Sequence, residues 1–314
     1  MLKSKLKIFT GDILGGLNSA IVALPQALAF GVATGFGASA GIWGAIILCC
    51  IAGLLGGKVP LISGITGPVT IVIASIMAAL NADISSVILV IIMAGILQII
   101  LSLTSLPVIV KYVPYPVISG FMNGIGFIIV IMQLNPLIGH PVMSNTITSI
   151  ASFIQNLSSI NYDALLIGLL TLIIVFVIPK RLNKVIPSQV IALVLCTFIS
   201  IKLGLNVEKI SNISIAFPQF TLPKVDLHSV ITYFHYAVTL AIVLSSESLL
   251  TVLVSDSLLK TKTSSKSMLL GQGVGNIICG LTGSLPGSAA TMRTVAAINT
   301  GSTTRLTAVI NPLY

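Results

Sequence analysis

The chain has 314 residues, of which 55% are hydrophobic and only 7% are charged, and its mean hydropathy is +1.10. A soluble protein carries about 25% charged residues, so the composition excludes a soluble globular domain and predicts an all-α polytopic membrane protein. The formal net charge is +9. We do not expect nucleic acid as a partner, because basic residues such as Lys58, Lys111 and Lys180 lie at the ends of apolar runs, where they orient membrane helices.

Runs of about 20 apolar residues predict membrane spans. We place them at about 13–35, 41–57, 62–80, 84–106, 116–138, 164–178, 187–201, 230–254, 268–281 and 283–299, and an eleventh begins after Arg305. Residues 140–162 are predicted to form a polar, uncharged loop, and residues 202–228 a second long loop. The distribution of basic residues predicts a cytoplasmic N-terminus, which would be stromal in a plastid. No cleavable signal peptide is evident.

Two of these spans open with glycine and proline, at residues 64–68 and 283–293. Pro286 and Gly287 favour extended backbone with a helix beginning near Ser288. A helix that begins inside the membrane presents unpaired N–H groups and a positive dipole end, which suit an anion. The two interruptions are seven spans apart and therefore have opposite orientations. This pattern predicts an inverted repeat with a binding site near the midplane.

Charged side chains inside the predicted spans are the next candidates. Arg293 lies one or two turns into the tenth span, where it either serves an anion site or forms a structural ion pair with Glu247, and the two roles are compatible. Glu247 lies midway through the eighth span, and its carboxyl group is a candidate for proton coupling. Thr251 is one helical turn further on and completes a polar or cation-binding face.

Polar positions elsewhere have more ordinary alternatives. Pro25 and Gln26 interrupt the first span, and Gln26 is expected either to line the site or to bond between helices. Phe30, one turn on, is either an apolar wall of the site or core packing. Asp12 and Asp256 are predicted to be interfacial or capping carboxylates.

Two further groups of residues are not expected to bind a metal or a nucleotide. The glycines of residues 271–276 predict close helix packing rather than a nucleotide loop, because their spacing does not fit the dinucleotide motif. The four cysteines have no metal-ligand spacing, and we predict no metal site and no cofactor.

Five segments resemble, in order, the SulP family of inorganic anion transporters: 12–17, 23–31, 62–68, 114–121 and 271–276. The resemblance covers essentially the whole chain and is greatest to cyanobacterial-type bicarbonate transporters, with sulfate permeases next. It implies two inverted repeats of seven helices with discontinuous helices 3 and 10. Residues of about 1–203 would form the first repeat and about 229–314 an incomplete second repeat. A cytoplasmic STAS domain, typical of the family, is expected to be absent from this chain.

The same resemblance implies the site residues. Its anion-binding positions are Gln26, Phe30, Thr66, Gly67, Ser288, Ala289, Ala290, Thr291 and Arg293. In sodium-dependent members an Asp and a Thr, matching Glu247 and Thr251 here, coordinate sodium. This chain has Glu in place of Asp, and Arg293 where those members have a small residue. Proton coupling or exchange therefore becomes an alternative to sodium coupling at Glu247 and Thr251.

The sequence therefore predicts a secondary transporter, not an enzyme, that moves bicarbonate or sulfate by alternating access coupled to H+ or Na+. We expect a homodimer in a lipid bilayer, either a bacterial plasma membrane or a plastid envelope. The alternatives are an anion exchanger, a channel-like conductor or a non-transporting fragment. A remote alternative is an intramembrane serine protease that uses Ser288 and His235.

Overall fold

The computed structural model describes residues 2–57, 59–104, 115–141, 143, 146–179, 188–207, 218, 220–223 and 227–314. Lys58, Lys111 and Lys180, which are among the orientation signals, lie outside the described residues. The helices of the first half are α1 (Leu2–Ala33), α2 (Ala38–Leu55), α3 (Gly67–Ala79), α4 (Ile84–Leu103), α5 (Tyr115–Met132), α6 (Leu134–Leu137), α7 (Thr146–Asn156), α8 (Tyr162–Val177) and α9 (Ser188–Leu203). The helices of the second half are α10 (Leu227–Leu259), α11 (Ser265–Leu281), α12 (Thr291–Asn299) and α13 (Leu306–Ile310). Two short strands, β1 (Ser63–Gly64) and β2 (Ser288–Ala289), precede α3 and α12.

Several of these helices are suited to a bilayer. Within the described residues, four segments are long and apolar enough to cross a membrane: Ile8–Ala33, Ala38–Leu55, Ile84–Leu103 and Ser229–Leu259. Shorter apolar helices occupy Gly67–Ala79, Tyr162–Val177 and Val190–Leu203. Together with a charged content of only 7%, these helices confirm an integral membrane protein built from α-helices.

Residues 1–118 and 214–314 form one compact unit. Within it, α11 packs closely on α2 and α4 through its glycines. A Cβ atom at Gly271 would lie 2.8 Å from the amide nitrogen of Gly56, and one at Gly273 would lie 2.8 Å from the carbonyl oxygen of Gly95. The close helix packing predicted for residues 271–276 is therefore confirmed. Small residues let helix backbones approach when there is no hydrophobic driving force between helices in lipid.

The apolar core of this unit surrounds the start of α3. Ile65 and Val69 belong to one buried cluster with residues of α4 and with Leu240 and Leu244 of α10. Leu285, just before β2, is buried in the same cluster. The two interrupted segments therefore share one core with the long helix α10.

Residues 119–213 form a second compact unit. Asn161 caps α8 by accepting hydrogen bonds from the N–H groups of Asp163 and Ala164 at 3.0 and 3.2 Å. Its amide nitrogen donates to the carbonyl oxygen of Asn206 at 2.9 Å, beyond the end of α9. Packing of α8 on α9 includes the hydroxyl of Thr171, 3.2 Å from the sulfur of Cys196. This division into units is not the predicted division into repeats, which stays a prediction.

Three predictions about local structure are wrong. Pro25 does not interrupt α1, which is continuous from Leu2 to Ala33, because a proline removes one helical hydrogen bond but neighbouring turns remain. The predicted loop 140–162 contains α7, an 11-residue helix too short to appear in a search for spans. The helix of the tenth predicted span, α12, begins at Thr291 rather than Ser288, because Ser288 and Ala289 pair as a strand with Gly64 and Ser63.

Candidate functional site

The two interrupted segments pair with one another. β1 and β2 form an antiparallel ladder in which Ser63 faces Ala289 and Gly64 faces Ser288. The N–H of Ala290 extends it by donating to the carbonyl oxygen of Ile62 at 2.8 Å. Helix α3 begins at Gly67, three residues after β1, and α12 begins at Thr291, two residues after β2. Two helices therefore begin beside one buried strand pair.

Glycine is required where the two strands meet. A Cβ atom at Gly287 would lie 2.2 Å from the carbonyl oxygen of Gly64. Gly64 itself has a positive φ of 156°, and a Cβ there would lie 2.8 Å from Nη1 of Arg293. Only a residue without a side chain allows this approach. Pro68 lies in the first turn of α3, where its missing N–H breaks no helical hydrogen bond.

Glu247 of α10 joins the two segments. Its Oε2 accepts a hydrogen bond from the hydroxyl of Thr66 at 2.6 Å and another from the hydroxyl of Ser288 at 2.6 Å. The two hydroxyl oxygens are 3.2 Å apart. All three side chains are buried. A buried carboxylate is stabilised by such hydroxyl donors, and here both of them bond to the same oxygen atom of Glu247.

Thr251 lies one turn further along α10 and contacts the second segment. Its hydroxyl oxygen is 2.8 Å from the carbonyl oxygen of Ala289 and 2.7 Å from the hydroxyl of Thr291. In the preceding turn, the hydroxyl of Ser248 accepts a hydrogen bond from the N–H of Ala289 at 3.1 Å. The resulting set of hydroxyl and carbonyl oxygens is of the type that hard cations prefer. Among the described residues, no cluster of three His, Cys, Asp or Glu side chains is suited to a metal ion.

Arg293 is buried on α12 and points back to the strand pair. Its Nη2 donates to the carbonyl oxygen of Ile65 at 2.7 Å, and its buried Nε has no hydrogen-bond partner among the residues that the structure describes. Within the described part of the chain, no ion pair joins Arg293 to Glu247. The predicted structural ion pair is therefore not formed. The guanidinium lies beside the first interrupted segment, at Ile65, and its Nε–H is not used in a described hydrogen bond.

Backbone donors at the two helix starts complete the site. Thr66 precedes α3 and Ala290 precedes α12, and neither helix has a side-chain cap. The N–H groups of the first turn of a helix have no partner within the helix. Gly67 and Thr291, the first residues of these helices, therefore present uncapped N-termini near the hydroxyls of Thr66 and Ser288.

The predicted residues of the first span are less directly involved. Phe30 is partly buried and packs against the apolar cluster that also contains Ile65 and Val69, and its role as a wall of the site stays a prediction. Gln26 is half-buried, and no hydrogen bond joins it to Thr66 or Glu247 in the described structure. The residues placed together are thus those of the third, eighth and tenth predicted spans.

The structure adds residues that sequence reasoning did not assign to the site. On α11, Gln272 Nε2 donates to the hydroxyl of Ser63 at 2.6 Å. Asn276, one turn on, bonds to the backbone of Gly287 and to Gln98 of α4. Two amide side chains four residues apart on an apolar helix share one face, and this signal was available in the sequence.

The protease alternative does not fit the geometry. Ser288 is fully buried, and its hydroxyl donates to Glu247. His235 is exposed, and its ring packs on Tyr236 with centroids 3.8 Å apart. A nucleophilic serine requires a base within hydrogen-bonding reach. No hydrogen bond joins Ser288 to His235 among the described residues.

An apolar groove of about 430 Å³ lies elsewhere, between α1, α2 and residues 311–314. Its walls include Leu17, Ile21, Leu24 and Ile46. None of the predicted anion-site residues lines it. The candidate site is therefore a buried polar cluster rather than this groove.

Secondary transporters typically have an α-helical membrane fold in which two interrupted helices begin beside one buried site. Here that site contains the charged residues Glu247 and Arg293. Residues 9–314 match the model of the sulfate permease family. The chain belongs to this family, whose members are membrane anion transporters and not enzymes.

Individual relatives give the same result. The chain is 40% identical over 311 residues to the bicarbonate transporter BicA of Synechocystis sp., covering 96% of this chain and 55% of that protein. It is 28% identical over 304 residues to the putative sulfate transporter YbaR of Bacillus subtilis, covering 95% of this chain and 59% of that protein. The chain therefore spans a little over half the length of these curated relatives.

Solved structures share the fold. The transmembrane domain of a cyanobacterial bicarbonate transporter BicA matches with a TM-score of 0.89 and 39% identity, covering 97% of this chain and 80% of that one. The murine Solute Carrier 26 family member A9 anion transporter matches with a TM-score of 0.84 and 20% identity, over 97% of this chain and 55% of that one. At this lower identity, the second match shows the fold alone.

Proposed function

We propose that this chain binds a small inorganic oxyanion, bicarbonate or sulfate, and moves it across a membrane as a secondary transporter. The observation that carries the proposal is the cluster at the strand pair: the hydroxyls of Thr66 and Ser288, two uncapped helix starts and the buried guanidinium of Arg293. Each group donates hydrogen bonds or carries positive charge. Such a set is suited to an oxyanion.

The anion would lie between the N-termini of α3 and α12. There, the first-turn N–H groups of α12 from Thr291 on and those of α3 from Gly67 on, apart from Pro68, which has none, would surround its oxygens together with the hydroxyls of Thr66 and Ser288. Arg293 would supply the full positive charge, and its Nε, which has no hydrogen-bond partner among the described residues, would be available to donate to the anion. Ala289 and Ala290 would contribute shape rather than N–H groups, because their N–H groups already bond to Ser248 and Ile62.

Coupling would arise because Glu247 and the anion compete for the same hydroxyl donors. While Glu247 is ionised, both hydroxyls donate to its Oε2, and its negative charge repels an anion nearby. When a proton from water binds the carboxylate, the hydroxyls are free to turn to the anion. The proton and the anion would then bind together and leave together. A monovalent cation such as Na+ at the oxygens of Thr251, Thr291 and Ala289 would neutralise the same charge, and this is the sodium form of the proposal.

Alternating access is part of the proposal because the site is buried. Thr66, Glu247, Ser288 and Arg293 are each at most 6% exposed, so the anion reaches them only when neighbouring helices move. The antiparallel pairing of β1 with β2 supports two repeats of opposite orientation, with seven helices each in the complete fold. We also propose that the protein is a homodimer with a cytoplasmic or stromal N-terminus, testable by cross-linking in membranes and by labelling of an N-terminal cysteine from each side.

The test is uptake of labelled bicarbonate and sulfate into proteoliposomes, with and without sodium and across a pH gradient, alongside binding measurements in detergent. The proposal expects saturable binding of at least one anion, and uptake driven by a proton or sodium gradient. Stimulation by sodium alone would support the cation form, and stimulation by a proton gradient the Glu247 form. Absence of binding for both anions would refute the proposal.

Exchange is a second candidate because Arg293 is a fixed positive charge that can neutralise the anion without a coupled cation. It predicts uptake that depends on an anion loaded inside the vesicle and not on sodium or pH. Channel-like conduction would instead give currents without a fixed ratio of coupled ions.

A further inference from the structure

Asn276 of α11 makes a reciprocal pair of hydrogen bonds with one residue of the second interrupted segment. Its Oδ1 accepts from the N–H of Gly287 at 2.9 Å, and its Nδ2 donates to the carbonyl oxygen of Gly287 at 3.0 Å. The second Nδ2 hydrogen is directed to Oε1 of Gln98, 2.8 Å away. The buried amide of Asn276 thus uses both of its donors and its acceptor.

Gly287 depends on this outside support. No side chain is available to orient it, and none fits, because a Cβ atom would lie 2.2 Å from the carbonyl oxygen of Gly64. Glycine also has the widest choice of backbone conformations. The next residue is Ser288, whose hydroxyl donates to Glu247. Any rotation of the Gly287 backbone would therefore move the hydroxyl of Ser288 and the start of α12.

We propose that Asn276 is a positioning residue of the anion site: it fixes the backbone of Gly287 so that the hydroxyl of Ser288 is placed for both Glu247 and the anion. The inference rests on the proposed function. Asn276 acts through Gly287 and Ser288, and it does not itself touch the anion.

Gln98 fixes the orientation of the Asn276 amide. Since Gln98 Oε1 accepts one Nδ2 hydrogen, the other is directed to Gly287. The buried Nε2 group of Gln98 has no partner within the described part of the chain, so replacing this nitrogen with oxygen breaks no hydrogen bond described here. Gln98→Glu is therefore a matched control. It adds a carboxyl group next to Asn276 and retains the oxygen atom that accepts from Asn276 Nδ2.

The test compares Asn276→Asp with the wild type by sulfate affinity of the full chain at pH 5 to 8, where sulfate keeps its charge. In this variant, the ionised carboxylate accepts from the Gly287 N–H but has no hydrogen for the carbonyl oxygen. The protonated carboxyl group restores the reciprocal pair. We expect the variant to bind sulfate about tenfold more weakly than the wild type at pH 8, and to approach the wild type at pH 5.

The Gln98→Glu control distinguishes geometry from charge. It keeps the hydrogen bonds of the Asn276 amide, so at pH 5, where the new carboxyl group is neutral, it should stay within about threefold of the wild type, and any weakening at pH 8 measures the effect of added negative charge alone. Equal weakening in both variants would overturn the proposal, since added charge would then explain the effect. A weakening by Asn276→Asp that is the same at pH 5 and pH 8 would also overturn it.

A second variant covers the case in which Asn276→Asp does not fold. Asn276→Ser adds no charge and is too short to make the reciprocal pair, so it should weaken sulfate binding with no rescue at low pH. If neither variant folds, Asn276 serves the fold rather than the site, and the proposal is overturned. If the wild type itself binds no anion, the proposed function fails. Wild-type binding with normal affinity in the variants refutes only the role of Asn276.

Discussion

The hydroxyl of Thr66 donates a 2.6 Å hydrogen bond to Oε2 of Glu247, 181 positions later in the chain. Ser288 donates to the same oxygen atom. One carboxylate oxygen therefore holds the ends of both interrupted segments. Under the proposed function, substitution of Glu247 should therefore separate anion binding from coupling.

Glu247→Gln should bind the anion but lose the response to a proton gradient. The glutamine side chain is permanently neutral, so the hydroxyls of Thr66 and Ser288 are available to the anion at every pH. In proteoliposomes, sulfate uptake by the variant should fall to the rate that the wild type shows without a gradient. Asp256→Asn is the control, because Asp256 accepts hydrogen bonds from Thr261 and Thr263 at the end of α10. A proton-stimulated Glu247→Gln variant would contradict the coupling role.

Arg293→Ala should abolish uptake. The substitution removes the full positive charge next to the strand pair and leaves the carbonyl oxygen of Ile65 without its donor. Hydrogen bonds to a charged group contribute about 1.5–3 kcal/mol, so anion affinity should fall by about ten- to a hundredfold. Arg305→Ala is the matched control, because Arg305 is exposed and its Nη1 makes one long hydrogen bond of 3.3 Å to Leu54. Wild-type uptake by Arg293→Ala would refute the proposed role.

Gly287→Ala should destabilise the protein. The new methyl group would lie 2.2 Å from the carbonyl oxygen of Gly64, and overpacking of this kind costs about 1–3 kcal/mol. Gly124→Ala is the comparison, because a Cβ atom there meets none of the described atoms within 4 Å and alanine favours a helix. Thermal unfolding in detergent should show a lower midpoint for Gly287→Ala only. Equal midpoints would mean that the strands separate more easily than their spacing indicates.

Thr251→Val should weaken the contact between α10 and the second segment. The substitution keeps the shape but removes the hydroxyl that lies between the oxygens of Ala289 and Thr291. Loss of a buried hydrogen bond costs about 1–3 kcal/mol, and any stimulation of uptake by sodium should disappear. Thr239→Val on the same helix is the control, because the exposed Thr239 hydroxyl donates to the carbonyl oxygen of His235 within its own turn. Sodium stimulation that survives Thr251→Val would exclude this cation site.

Much of the architecture could be predicted from the sequence because lipid imposes simple rules. Long apolar runs locate α2, α4 and α10 to within a few residues. Glycine and proline at 64–68 and 283–287 mark the two interruptions, and the structure pairs them. Glu247 and Thr251 are one turn apart on one helix, so their shared face followed from helical periodicity alone.

Other features depend on contacts that no local pattern contains. α12 begins at Thr291 because Ser288 and Ala289 pair as a strand with Gly64 and Ser63, which lie far earlier in the chain. The local sequence near Ser288 contains no information about this distant strand partner. The partner of Arg293 is a backbone carbonyl, at Ile65, rather than Glu247. Backbone carbonyls leave no trace in the sequence. The amphipathic α7 was missed because hydropathy over a window of about 20 residues averages out a helix of 11.

The pairing of β1 with β2 also has a consequence for biogenesis. Ser63 and Gly64 emerge from the ribosome long before Ala289 and Ser288, and bare peptide groups are costly in lipid. Until the later strand arrives, the earlier one must be shielded by the insertion machinery or by water. The hydrogen bonds that join Thr66, Glu247 and Ser288 can therefore form only after the later strand has been synthesised.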